Sequence, residues 1–187
     1  MEKPQLVSIE AQSRQTGSKA ASSLRSAHTI PAVLYGPTME NIHLSVKELD
    51  LERVLKAEDA QFVQVSVNGT NYTSIVKSVE FHPVTDRPMH ADFYVLSEQR
   101  DVTMTVPLRI SGNAPGIMAG GRLDHNLKKV KVRCKPEHIP AHVKADISQL
   151  NIGDTLRIKD LEFDNMNVLV DPERTVVFIK PPKGSKK

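Results

Sequence analysis

At 187 residues, with 39% hydrophobic and 25% charged residues, the chain has the composition of one large or two ordinary globular domains. No apolar run approaches a membrane span, and the opening Met1-Glu2-Lys3-Pro4 lacks an apolar signal region, so a cytoplasmic chain with no membrane partner is expected. A single cysteine, Cys134, excludes an internal disulfide framework, and the net charge of +3 is uneven: nine Lys/Arg against eleven Asp/Glu in residues 1–97, sixteen against eleven in 98–187.

Val7, Ile9 and Ala11 alternate with polar residues, which predicts a half-buried strand broken by Gly17. From Ser18 to His28, Ala20, Ala21, Leu24 and Ala27 recur at helical spacing, with Lys19 and Arg25 flanking the polar face. Residues 11–39 carry Arg14, Lys19 and Arg25 and no acid. Screening limits distant charges to about 10 Å, so such a local patch can bind phosphate within a nearly neutral domain. Pro31 is expected to end the helical segment, and Ala32-Val33-Leu34-Tyr35 to form a short strand closed by Gly36-Pro37. A strand over 42–46 follows. Lys47–Lys56, with five acids between Glu48 and Asp59, predicts a solvated surface helix.

Asn68-Gly69 between the β-branched runs 61–67 and 70–77 supplies the two positive-φ positions of a type I′ hairpin turn. Further strand is expected at Val79–Phe81 and His90–Leu96. A sheet or barrel with two helices would then close near residue 97, where Ser97-Glu98-Gln99-Arg100-Asp101 marks a polar boundary. Val102, Met104, Val106 and Leu108 open a second β-rich region. The glycines between 112 and 121 lack the Gly-Lys-Ser/Thr of a phosphate loop and predict turns. Lys129, Lys131, Arg133 and Lys135 alternate with Val130, Val132 and Cys134. That pattern gives a strand with one basic face, which suits edge protection or an RNA or protein contact, and places Cys134 as a small buried hydrophobe. Asn151–Gly153 and Asp164-Asn165 predict further turns, and residues 181–187 a basic flexible tail.

Residues 82–93 hold two histidines and an aspartate, and His90 and Asp92 have the i, i+2 spacing of one strand face. Three readings compete there: a metal or acid–base site using His82, His90 and Asp92, a hydrogen-bonding contact surface, or ordinary strand polarity. No nearby Cys or Glu completes a zinc set, and no nucleophile elbow occurs in the chain. No metal, other cofactor or small-molecule substrate is expected.

The run Gly17-Ser18-Lys19-Ala20-Ala21-Ser22-Ser23-Leu24-Arg25 with Ile30-Pro31-Ala32-Val33-Leu34-Tyr35-Gly36 resembles the signature of bacterial large-subunit ribosomal protein twenty-five. His82-Pro83 and His90-Ala91-Asp92-Phe93 fit the same family. Val106-Pro107-Leu108, Gly120-Gly121, Ile139-Pro140, Asp146-Ile147-Ser148 and Ile152-Gly153-Asp154 resemble its long form, the general stress protein CTC. The resemblance implies a non-enzymatic, mainly β (α+β) protein. Residues 1–97 would form a six-stranded-type β-barrel with two or three short helices that docks on 5S rRNA. Residues 98–180 would form a CTC-type β domain, with 181–187 as the tail. Its partners would be 5S rRNA, large-subunit RNA and neighbouring ribosomal proteins. By position, Arg14, Lys19, Arg25, Tyr35, Lys77, His90 and Asp92 form the implied RNA-binding set. Ser18, Ser22, Ser23 and Phe81 stand where the family usually carries basic residues, which implies a weaker electrostatic contribution in this chain.

Overall fold

Alternation of apolar and polar residues builds β1 (Gln5–Ser13), whose Ile9 and Ala11 are buried. This computed structural model describes residues 4–37, 39–59, 61–97 and 99–182. The chain divides between Arg100 and Asp101 into two compact units.

In the first unit, β1 is followed by α1 (Ser18–Ser26), β2 (Thr29–Gly36), β3 (Met39–Lys47), α2 (Glu48–Lys56), β4 (Gln61–Val67), β5 (Thr70–Phe81) and β6 (Pro88–Val95). The six strands close a barrel in the order β1-β3-β2-β6-β5-β4, in which β1/β4 and β2/β6 run parallel. Inward residues Ile9, Ile30, Leu34, Leu44, Val63, Val65 and Phe93 fill it, each with no more than 1% of its surface exposed. The hairpin turn is as expected, with Asn68 at φ 50° and Gly69 at φ 82° between antiparallel β4 and β5.

Several local expectations yield to long-range pairing. The helix over 18–28 stops at Ser26 because His28 takes a left-handed φ of 55°. Pro31 lies inside β2 rather than before it. The parallel ladder with β6 begins only at Ala32, so β6 does not require the amide proton that proline lacks. The expected strands 70–77 and 79–81 are one strand with a bulge at Lys77: Val76 pairs with Phe93 and Ser78 with Asp92, leaving Lys77 as the extra residue. Finally, α2 is not simply a solvated helix. Leu51 is wholly buried in the barrel core while Leu49 is exposed, so the helix packs over the barrel through a narrow stripe.

Glu48, the first residue of α2, is also buried, with 7% of its side chain exposed. Arg87 grips it in bidentate fashion, Nε to Oε1 at 2.8 Å and Nη2 to Oε2 at 2.7 Å, and His28 Nδ1 lies 2.9 Å from Oε2. The carboxylate thereby ties together the turn before β2, the start of α2 and the loop before β6. The Arg87 hydrogen bonds, ahead of those from His28, outweigh desolvation and hold the Glu48 carboxyl down to about 2.

The second unit contains β7 (Val102–Ser111), α3 (Pro115–Met118), β8 (Arg122–His125), β9 (Lys129–Cys134), β10 (Val143–Asp146), β11 (Thr155–Arg157), β12 (Asn167–Val168) and β13 (Thr175–Lys180). They form a four-stranded sheet, β10-β7-β9-β12, and a three-stranded sheet, β11-β13-β8. The glycine cluster is structural, as expected. A Cβ on Gly116 would stand 2.6 Å from the Asn151 carbonyl carbon, so only glycine admits that approach. Gly153 and Asn165 take the positive φ values of turns. Cys134 is buried as expected, and burial, then the charge of Asp101, pushes its thiol up. The basic strand β9 is not an edge, because β7 and β12 flank it. From Lys183 onward the tail lies outside the described residues, as do Met1–Lys3 at the start of the chain and Glu98 in the polar boundary.

The Glu48 clamp has a measurable signature. A carboxyl held below its ordinary 4.5 contributes stability that is fully present above that value and is lost as pH falls toward about 2. All three tyrosines, Tyr35, Tyr72 and Tyr94, lie in the barrel, so tyrosine fluorescence reports its unfolding. Glu48→Gln is expected to lose roughly 1–3 kcal/mol at neutral pH. It should also show a flatter acid dependence than the unsubstituted protein. Parallel pH profiles for the two would remove Glu48 from the account.

Candidate nucleic-acid interface

The outer face of β6 gathers most of the residues implied by resemblance. Ala91 and Phe93 point into the core, so His90, Asp92 and Tyr94 point outward. His90 Nδ1 stands 3.3 Å from Asp92 Oδ1, both side chains partly exposed. In the register, Tyr94 lies beside Tyr35 of β2 and Asp92 beside Val33. The Tyr35 and Tyr94 rings meet edge to face, with centroids 5.5 Å apart at 78°. On the other flank, the bulge aims Lys77 at the same ring, its Nζ 6.0 Å from the Tyr94 centroid.

The electrostatics of this face favour hydrogen bonding over bulk attraction. Burial first, then the Asp92 carboxylate and Tyr94, pushes the Tyr35 phenol up, so it stays a neutral O–H. Glu80 pairs with His90 and adds a second acid beside Asp92. Such a surface offers aromatic rims, one imidazole, hydroxyls and carboxylate acceptors, with Lys77 as the cation within reach.

Arg25 joins this face from α1, its Nε donating to the Met89 carbonyl at 3.0 Å, one residue before His90. Lys19 is exposed six residues earlier on the same helix. Arg14 does not join. Its Nε donates to the Leu44 carbonyl at 3.0 Å and Nη1 to that of Gln15 at 3.3 Å, at the end of β1 and three strands round the barrel from β6. Ser18, Ser22, Ser23 and Phe81 are all exposed.

Sequence reasoning missed Tyr94, which contacts both Tyr35 and Lys77. Its i, i+2 spacing from Asp92 was the available signal. The alternative triad of His82, His90 and Asp92 does not form. His82 Nδ1 accepts the Val84 and Thr85 amides, each at 3.3 Å, and organises its own turn. Among the described residues no group of three or more His, Cys, Asp or Glu side chains is placed to hold a metal ion.

Comparison with known proteins agrees with this architecture. Residues 9–93 match the Ribosomal L25p family, and residues 101–183 match the C-terminal domain of ribosomal protein TL5. The large ribosomal subunit protein bL25 of Carboxydothermus hydrogenoformans is 36% identical over 155 residues, covering 82% of this chain and 78% of that protein. Its counterpart in Caldanaerobacter subterraneus is 36% identical over 182 residues, covering 96% and 92%. That of Porphyromonas gingivalis is 32% identical over 171 residues, covering 91% and 89%. This chain belongs to the bL25 family, in the long form that carries a TL5-type second domain. The family is one of structural ribosomal proteins, not enzymes.

One consequence is spectroscopic. Asp92→Asn removes the negative charge that helps hold the Tyr35 proton, so the Tyr35 phenol should ionise at lower pH than in the unsubstituted protein. Phenolate absorbance during an alkaline titration, with Tyr35→Phe to assign the step, measures this. An unmoved step would mean that Asp92 and Tyr35 do not share one face.

Proposed function

We propose that this chain is a structural component of the large ribosomal subunit in the cytoplasm. The barrel unit binds 5S rRNA and helps form the central protuberance. One observation carries the reading: β6 presents His90, Asp92 and Tyr94 outward, flanked by Tyr35, Lys77 and Arg25, on an open sheet face. Double-stranded RNA exposes base edges and 2′-hydroxyls in a wide, shallow minor groove, which a sheet face can approach. The phenols and imidazole address ribose hydroxyls, and Asp92 accepts from a base amino group or fixes the His90 ring. Lys19 and Lys77 hold phosphates, which orient the complex without reading sequence. Arg14 and Arg25 spend part of their hydrogen bonding on backbone carbonyls, so they contribute charge while bracing β3 and β6. Under this reading residues 1–97 are the RNA-binding domain and 98–180 a separate β domain, followed by a basic tail from 181.

The experiment is a binding series with 5S rRNA. Lys19→Ala should lower affinity and flatten the salt dependence by about one phosphate contact. Asp92→Asn keeps size but replaces one acceptor oxygen with a donor. Binding to cognate 5S rRNA should fall by roughly 1–3 kcal/mol, the cost of a mispaired buried polar group. Unrelated RNA should bind as well or slightly better, since a negative charge near phosphates has gone. Equal loss on both RNAs, or a lowered melting temperature accounting for it, would turn Asp92 into a structural residue and sink the proposal for this face. The fragment 1–97 should bind alone; binding by the full chain only would overturn the domain assignment.

A further inference from the structure

The second unit carries a charged surface that the barrel reading does not use. In β9 the inward residues Val130, Val132 and Cys134 are buried, and Lys129, Lys131 and Arg133 all point outward and are exposed. Register places these cations opposite Pro107, Thr105 and Thr103 of β7, and β7 in turn sets Arg109 beside Lys144 of β10. Five cations therefore share one open sheet face, with Asp146 at its far corner as the acid on those three strands. That carboxylate is engaged by the amide and hydroxyl of Ser148.

Three other cations of the unit are paired. Arg157 and Lys159 share Glu173 at 2.6 and 2.8 Å, and Lys180 pairs with Asp124. Among the described residues, Lys129, Lys131, Arg133 and Lys144 form no ion pair, although Arg133 Nε reaches the Thr103 hydroxyl at 3.5 Å. Like charges on neighbouring strand positions repel. Their concentration on one face is thus a cost to the fold that a polyanion would relieve.

We propose that this face of the second unit is an RNA-binding surface of its own, taking the phosphate backbone of a single-stranded or looped segment. Alternate residues on a strand repeat at about 6.8 Å, so Lys129, Lys131 and Arg133 form a straight cationic row that can follow successive phosphates. At the Arg133 end the row opens into a shallow groove of about 600 Å³, where Lys135 and His138 meet Phe163, Asn165 and Asn167, with Asp101 also on its wall. A base turned out of its stack finds there an aromatic ring and amide groups for its edge. The face suits RNA better than an acidic protein, because protein interfaces centre on buried apolar anchors. Here the exposed apolar side chain is Leu169, at the β12 margin beside Lys131.

The test uses the full chain and a short uridine homo-oligomer, which has no folded minor groove for the barrel to read. Affinity is measured across a salt series for the unsubstituted protein, for Lys129→Ala/Lys131→Ala/Arg133→Ala, and for Arg53→Ala/Lys56→Ala as the barrel control, whose cations are exposed on α2 and paired with Asp50 and Glu52. The sheet variant is expected to bind at least tenfold more weakly at low salt. Its salt slope should fall by about two, the share of three phosphate contacts on a single strand. The barrel control should keep both affinity and slope. If the sheet variant melts early, Lys131→Gln alone supplies the same test with a slope loss of about 0.7. Unchanged slopes in the sheet variants, or loss confined to the barrel control, would overturn the proposal. Competition by oligoglutamate as effective as the oligouridine would overturn it in favour of an acidic protein partner. Because 5S rRNA is absent from this assay, the outcome is independent of the reading of the barrel.

Discussion

Phe93 sits wholly buried in the barrel core, and its burial sets what the opposite face of β6 can present. Side chains alternate across a strand, so one choice of register decides every residue at once. With Ala91 and Phe93 inside, His90, Asp92 and Tyr94 must be outside, between β2 and β5. A slip of one residue would drive an imidazole, a carboxylate and a phenol into a core lined by valine, isoleucine and leucine. Burying such groups without partners costs several kcal/mol each, far more than any alternative pairing could return. The polar face of β6 is thus specified by hydrophobic burial on its other side. Barrel closure then supplies the flanking groups, since β2 and β5 are locked to β6 by parallel and antiparallel ladders.

Charge plays two different parts in the barrel unit. Arg87 and Glu48 are spent internally, where bidentate geometry and partial burial make a charge-assisted hydrogen-bond pair stronger than an exposed ion pair. The α2 pairs Arg53–Asp50 and Lys56–Glu52 are exposed and of the weak kind. Few cations are left for the β6 face. On the proposed reading, recognition there rests on shape, aromatic rims and donor–acceptor matching. Weak electrostatic attraction combined with a dense polar face makes a surface that discriminates more than it attracts.

How much of this was legible in the sequence follows the range of the interactions. The I′ hairpin at Asn68-Gly69, the alternation of β9 and the shared face of His90 and Asp92 depend on neighbours in the chain and could be read directly. Four features depend on distant residues and could not be. The bulge at Lys77 exists because β5 must realign against β6, and only that realignment brings Lys77 to Tyr94. Leu51 carries no local signal that separates it from the exposed Leu49, and only the barrel core supplies its surroundings. Glu48 read as a solvated helix charge because Arg87, thirty-nine residues away, is what makes its burial possible. Arg14 enters the implied RNA-binding set by resemblance alone, and the Leu44 carbonyl, thirty residues away, is what engages its guanidinium.

Under the two proposals, the units meet a polyanion in opposite ways. On the barrel, acids stand beside His90 and Tyr35, so nonspecific phosphate attraction is low and each polar group must find its proper partner. On the β9 row, Lys129, Lys131 and Arg133 form no ion pair among the described residues, which gives reach and salt sensitivity but little power to tell one sequence from another. A chain carrying both can be drawn to a large folded RNA by the second surface while the first fixes where it docks. Because both units are segments of one chain, occupancy of either surface raises the effective concentration of the other at the RNA. Modest contacts on each can then sum to stable residence without a strongly basic protein, which fits a net charge of only +3.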